Sequence, residues 1–168
     1  LGRPGDTGRA PCPMSLLEGR RVLLVEDESL VAMLAEDMLL DLGCEVVVAM
    51  RLDKAVDHVR AGNFDLAVLD VNLGDARSYP VADLLLERCT PFLFATGYGT
   101  QGLEEAYRSA PVLQKPYQAA PLAHLLTQLL TCEAPIWDRA DEKATACACH
   151  RPKGEPSGPE PFQADPVR

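Results

Sequence analysis

Five short apolar runs, each followed by a stretch of helical character, constrain this chain more than any other feature. They are RVLLV (21–25), CEVVVA (44–49), DLAVLD (65–70), PFLFAT (91–96) and PVLQK (111–115). Most are apolar at consecutive positions, as strands are when both faces of a sheet are covered. After the first run, Val31, Leu34, Met38 and Leu42 recur at helical spacing, with Ser29 placed to cap and Gly43 to terminate. Leu52, Val56 and Val59 share one face of a second helical stretch that stops at Gly62. VADLLLER (81–88) predicts a helix after a turn at GDARSYP, EEAYRSA (104–110) a short one, and PLAHLLTQLL (121–130) a last amphipathic helix. Alternation of this kind predicts an α/β fold with a five-stranded parallel sheet covered on both sides.

Outside that pattern the sequence changes character. Residues 1–19 read as a flexible N-terminal extension, opening on LGRPGDTGRAPCP, which has neither helical periodicity nor the apolar centre of a secretory signal. The pattern spans residues 20–131, and residues 132–168 form a Pro-rich tail with no sustained apolar face, expected to be disordered. No stretch approaches the roughly 18 consecutive apolar residues that span a bilayer. The formal net charge of -9 argues against nucleic acid and anionic membrane as partners, because phosphates would meet uncompensated carboxylates. A cytoplasmic protein with reduced thiols is the expectation, with Cys44 and Cys89 as small core residues. Cys132, Cys147 and Cys149 lack the usual metal-site spacing.

Chemistry enters at the strand ends. In a doubly wound sheet the ligand crevice lies outside the carboxyl ends of the strands. Those ends carry Glu26 and Asp27, then Asp70, Thr96 and Lys115. Three carboxylates at one edge repel one another unless a cation sits among them, and an all-oxygen set suits a hard divalent ion, with Mg²⁺ favoured. Asp70, rigid at the end of an apolar strand, is placed to act as a nucleophile toward a phosphoryl group. Lys115 supplies a compact ammonium and Thr96 a short hydroxyl for the charge on the phosphoryl oxygens.

The segments LLVEDE, AVLDVNL, FATG and LQKPY together resemble the signatures of the receiver domain of bacterial two-component response regulators, over about residues 20–131. The resemblance implies a flavodoxin-like doubly wound (βα)5 fold and a phosphoacceptor signalling domain rather than an enzyme with a separate substrate. It implies Asp70 as phosphoacceptor, Glu26, Asp27 and Asp70 as Mg²⁺ ligands with the backbone carbonyl of Asn72, Thr96 as switch hydroxyl and Lys115 as phosphoryl-sensing cation. A cis bond between Lys115 and Pro116 follows from the same likeness. The implied partners are a sensor histidine kinase or a histidine phosphotransfer protein, and a downstream protein target that the sequence does not name.

One position departs from the pattern. The family usually carries an aromatic residue three positions before the lysine, and here that residue is Val112. The stretch FATGYG (94–99) resembles the FAT-G subfamily known from alphaproteobacteria, in which Tyr98 is a candidate for the missing role. The overlapping GYGTQG holds three glycines, which predict a mobile segment after the fourth strand and an output surface on that face.

Two other readings fit less well. A Mg²⁺-dependent phosphatase or phosphotransferase with an Asp nucleophile needs an acid two residues later, where this chain has Asn72. A nucleotide-binding module needs a Gly-rich loop after the first strand, where EDES would repel phosphate.

Overall fold

A computed structural model describes residues 16–131. The chain forms β1 (Arg21–Val25), α1 (Ser29–Asp41), β2 (Glu45–Ala49), α2 (Leu52–Ala61) and β3 (Leu66–Asp70). A two-residue-per-strand hairpin follows, β4 (Asn72–Leu73) and β5 (Ala76–Arg77), then α3 (Tyr79–Glu87), β6 (Phe92–Thr96), β7 (Val112–Gln114) and α4 (Ala119–Thr131). The main sheet has the order β2-β1-β3-β6-β7, and every pairing in it is parallel. This is the five-stranded, doubly wound flavodoxin-like arrangement that the sequence predicts.

Strand periodicity explains the two-layer core. Successive side chains point to opposite faces of a strand. Accordingly Val22 and Leu24 of β1 pack with Ala35 and Leu39 of α1 and with Leu122 and Leu126 of α4. Leu23 and Val25 pack on the other side, with Ala55 and Val59 of α2 and with Val81 and Leu85 of α3. β3 and β6 are buried along their whole length because both faces are covered. β2 lies at the sheet edge and its middle residues are only half-buried.

Helix ends follow local chemistry. Gly43 closes α1 at φ 83, with Cys44 N–H donating to the Leu39 carbonyl and Gly43 N–H to Leu40, the Schellman pattern. The start of α1 differs from expectation: Ser29 is its first residue, Glu28 occupies the cap position, and no side chain bonds to the exposed amides there. α3 ends in the same Schellman pattern with Cys89 at φ 56, where glycine is usual, since Thr90 N–H reaches Leu85 and Cys89 N–H reaches Leu86. That geometry corrects the reading of Cys89 as a reduced core thiol, for it is exposed and disulfide-bonded. Cys44 is a buried free thiol, as expected.

Two further expectations are revised. Residues 16–19 fall within the expected flexible extension, yet Leu17 is fully buried against the α1/α4 layer and its carbonyl accepts from Arg20 N–H. Two adjacent leucines, Leu16 and Leu17, followed by Glu18, Gly19 and Arg20 carry no periodic signal, so the sequence pattern starts later than the packing does. The helix expected over 104–110 is instead a short 3₁₀ turn, Glu105–Tyr107, preceded by another at Gly99–Gly102. Gly97, Gly99 and Gly102, just ahead of that stretch, each disfavour helix by about 1 kcal/mol, and within it the Tyr107, Arg108 and Ala110 amides bond three residues back, to Glu104, Glu105 and Tyr107. The rest of the expected extension, the tail, and Cys132, Cys147 and Cys149 lie outside the described residues.

Candidate functional site

Sheet register brings the polar strand ends together. Val25 pairs with Leu69, Asp70 with Ala95, and Thr96 with Gln114. The next residue along each strand therefore leaves the sheet at one edge: Glu26 after β1 and Lys115 after β7, beside Asp70 and Thr96. The Lys115 amide donates to the Thr96 carbonyl, which extends that alignment one residue past β7.

The side chains form one cluster around Lys115. Its Nζ lies 2.6 Å from Glu26 Oε2 and 2.7 Å from Asp70 Oδ2. Glu26 is fully buried and Asp70 is 6% exposed, so the ammonium is the compensating charge for two carboxylates withdrawn from water. Burial pushes the Glu26 carboxyl up, and the nearby Asp70 charge adds to this, against the lowering effect of Lys115. Burial alone would lower the Lys115 ammonium, but its hydrogen bonds to Asp70 and Glu26 outweigh that and hold it above its ordinary value. Asp70 Oδ1 accepts from the Asn72 amide at 3.2 Å, so both carboxylate oxygens are held.

Glu26, Asp27 and Asp70 each present a carboxylate oxygen, all within 4.8 Å of one another. Against three carboxylates stands one ammonium, and Asp27 is exposed, which leaves the cluster open to solvent on that side. An all-oxygen set with excess negative charge fits a hard, partly hydrated divalent cation such as Mg²⁺. Asn72 contributes in two ways: its amide holds Asp70, and its side-chain oxygen accepts from Arg77 Nη1. Thr96 is buried, and its Oγ1 accepts from the Tyr98 amide at 3.1 Å. A Cβ at Gly102 would stand only 3.4 Å from that oxygen, so the chain after β6 folds back over it. Tyr98 itself is 80% exposed. Val112 is half-buried and packs on the α2/α3 layer. The Lys115–Pro116 bond is cis.

Three contributors escape a reading of strand ends alone. Tyr117 donates its hydroxyl to Glu26 Oε2 at 3.2 Å, and its phenol is pushed up, first by burial and then by the charges of Glu26 and Asp70. The Gly74 amide donates to Asp27 Oδ2 at 2.8 Å from the tip of the β4–β5 hairpin, where φ is 60. Arg77, on the second hairpin strand, completes the pairing with Asn72. Tyr117 stands in the LQKPY segment, which is a visible signal. A hairpin with strands this short leaves none.

Comparison with known proteins places this geometry. The profile of the family described as "Response regulator receiver domain" matches residues 22–127. Among curated proteins, the aerobic respiration control sensor protein ArcB of Escherichia coli (strain K12) is 29% identical over 147 residues, covering 83% of this chain and 18% of ArcB. The chain therefore spans under a fifth of the length of that sensor. Among solved structures, the BeF3-activated conformation of SdrG from Pseudomonas melonis Fr1 is 42% identical, with a TM-score of 0.58 over 66% of this chain and 95% of SdrG. The receiver domain of PhyR from Erythrobacter litoralis is 26% identical, with a TM-score of 0.62 over 71% of this chain and 97% of that domain.

Proposed function

Because the chain belongs to the response regulator receiver domain family, a family of signalling domains, we propose that Asp70 accepts a phosphoryl group from the phosphohistidine of a sensor histidine kinase or a histidine phosphotransfer protein. In that transfer an Asp70 oxygen bonds to phosphorus as the phosphorus–nitrogen bond breaks, and the imidazole leaves with the electron pair. The observation that carries this reading is the Lys115 ammonium bridging Asp70 and buried Glu26 beside the three-carboxylate cluster.

Each residue has a distinct task. Glu26, Asp27, Asp70 and the Asn72 backbone carbonyl would hold Mg²⁺, which supplies charge neutralisation to the phosphoryl oxygens when bound. Tyr117 and Lys115 fix the orientation of Glu26. Lys115, already 2.7 Å from Asp70, is positioned to follow the added negative charge. Thr96 donates its hydroxyl proton to a phosphoryl oxygen, and because its Oγ1 also accepts from the Tyr98 amide it links the site to the segment after β6. Tyr98 takes the switching part that Val112 cannot, a reading supported by the likeness of FATGYG (94–99) to the FAT-G subfamily. The donor covers Leu30 and Met33, which are 76% and 60% exposed in the first turns of α1 next to Asp27.

The output is a change in protein contacts with a downstream target, in the cytoplasm, where the histidine kinases that serve such domains release their phosphoryl groups. No helix among the described residues is long and apolar enough to cross a membrane. The phosphatase reading loses further ground, because Asn72 has no acidic proton to give a leaving group and its side chain is engaged by Arg77.

Intact-mass spectrometry after incubation with acetyl phosphate and Mg²⁺ tests the proposal. The expected result is a gain of one phosphoryl group, lost in Asp70→Asn and in chelator. No gain in the wild-type chain, or an equal gain in Asp70→Asn, overturns it.

A further inference from the structure

The segment after β6 is fastened to α3 by two tyrosines that play no part in the acidic cluster. Tyr79, at the start of α3, accepts the Glu104 amide on its hydroxyl at 2.9 Å. Its ring stacks on Tyr107 with centroids 4.5 Å apart and planes 5° apart. Tyr107 then donates its hydroxyl to Asp83 Oδ1 at 2.6 Å. Tyr79 and Asp83 are four residues apart on α3, so they occupy one face and grip the segment at two points. Both rings meet Phe94 edge-on, at 5.9 and 5.8 Å. Phe94 lies two residues before Thr96 on the same strand.

Among the described residues, the chain between this grip and Thr96 is held mainly by apolar packing. The segment has two short 3₁₀ turns, three glycines, and Leu103, Tyr107 and Ala110 as its buried anchors. Its other end is pinned by the Tyr98 amide on Thr96 Oγ1, with Gly102 close above. A turn of Thr96 toward Asp70 moves Oγ1 from its present place on the Tyr98 amide, so residues 97–103 must either follow it or give up that bond. The shift is resisted wherever the segment is fastened.

From this geometry we infer that Tyr79 and the Tyr107–Asp83 pair are positioning residues that hold residues 97–107 in the resting arrangement over Thr96. The α3 surface around Asp83 and the Thr96 hydroxyl thereby form one two-state element. A ligand or phosphoryl group at Asp70 that favours the released arrangement works against this clasp, and weakening the clasp makes it work less hard. The inference rests on the phosphoacceptor reading of Asp70.

Tyr107→Phe and Tyr79→Phe test it in the full chain, since each keeps the ring and removes one hydroxyl. Hydrogen exchange of the unphosphorylated protein is the first readout. Peptides covering 98–107 are expected to exchange about tenfold faster in either variant, the factor that losing one hydrogen bond supports, while peptides from β1 and α2 stay unchanged. The second readout is titration with beryllofluoride and Mg²⁺, where half-saturation falls by about threefold to tenfold as the released state becomes more populated. Unchanged exchange over 98–107 overturns the inference, as does equal acceleration throughout the domain, which would mark the hydroxyls as general stabilisers. Beryllofluoride affinity that stays within twofold of wild type despite faster local exchange also overturns it. A wild-type chain that binds no beryllofluoride and takes no phosphoryl group would instead refute the assignment of Asp70.

Discussion

Asp27→Asn separates the electrostatic cost of the acidic cluster from its use. Its carboxylate presents an oxygen within 4.8 Å of oxygens on Glu26 and Asp70. At that separation two unit charges repel by about 1 kcal/mol at the dielectric of water and by about 3.5 kcal/mol at an effective value of 20. Asp27 is exposed, so the lower figure applies to each pair. Lys115 faces the same carboxylates and offsets part of it. Asparagine keeps an oxygen to accept the Gly74 amide. The net expectation is that Asp27→Asn stabilises the chelator-treated protein by about 1 kcal/mol, or roughly 4 °C in melting temperature for a domain of this size. Mg²⁺ at about a hundred times its Kd should stabilise the wild type by about 2.7 kcal/mol. It should do much less for a variant that has lost a ligand, so the order of stability reverses between the two conditions. Thermal unfolding followed by circular dichroism, with chelator and with Mg²⁺, reads both effects. A variant that melts at or below wild type in chelator refutes the repulsion argument, and one that gains as much from Mg²⁺ refutes Asp27 as a ligand.

Two other outcomes follow from buried groups. Lys115→Met leaves Glu26 buried without its cation, and urea titration in chelator should show a loss of about 3 kcal/mol; a loss under about 1 kcal/mol would mean Lys115 does not carry the pairing. Burial pushes the Cys44 thiol above its ordinary value of 9.0, so the unfolded chain loses this proton before the folded one does. That contribution to stability is intact below about pH 9 and falls as pH rises, by up to about 1.4 kcal/mol per pH unit. The stability gap between wild type and Cys44→Ala should therefore narrow from pH 7 to pH 10 in urea titrations, and a constant gap would contradict the assignment.

The sequence made the sheet legible because consecutive apolar runs have few other uses in a chain of this length. Once the strands are parallel, their polar ends have only one edge on which to meet. Glu26, Asp27, Asp70, Thr96 and Lys115 could thus be grouped before any distance was known. What stayed hidden depends on contacts between segments whose local sequence says little. Tyr117 reaches Glu26 across 91 positions, and although it stands in the LQKPY segment, that segment does not say which carboxylate its hydroxyl serves. Residues 104–110 carry a helical apolar spacing together with Leu103, in that Leu103, Tyr107 and Ala110 are indeed buried. The expected helix fails in the backbone, because the Tyr107, Arg108 and Ala110 amides bond three residues back, to Glu104, Glu105 and Tyr107, and not four. Cys89 misled for a different reason: the apolar stretches on either side mark the end of α3 and the start of β6, and Cys89 between them takes the left-handed turn that leaves its own side chain exposed.

Leu17 shows that the span the family profile matches is shorter than the span that packs. Family likeness runs from Val22 to Thr127. Yet Leu17 is fully buried before that range and Leu129 nearly so after it, and the Leu17 carbonyl is the acceptor for the Cys44 thiol at 3.4 Å. A chain trimmed to residues 22–127 would keep every residue of the acidic cluster and still lose both plugs from the layer beneath α1 and α4. Deleting one such leucine side chain alone costs about 2–5 kcal/mol, a large share of the stability of a small domain. The homologous core is enough to recognise this protein and too little to excise it.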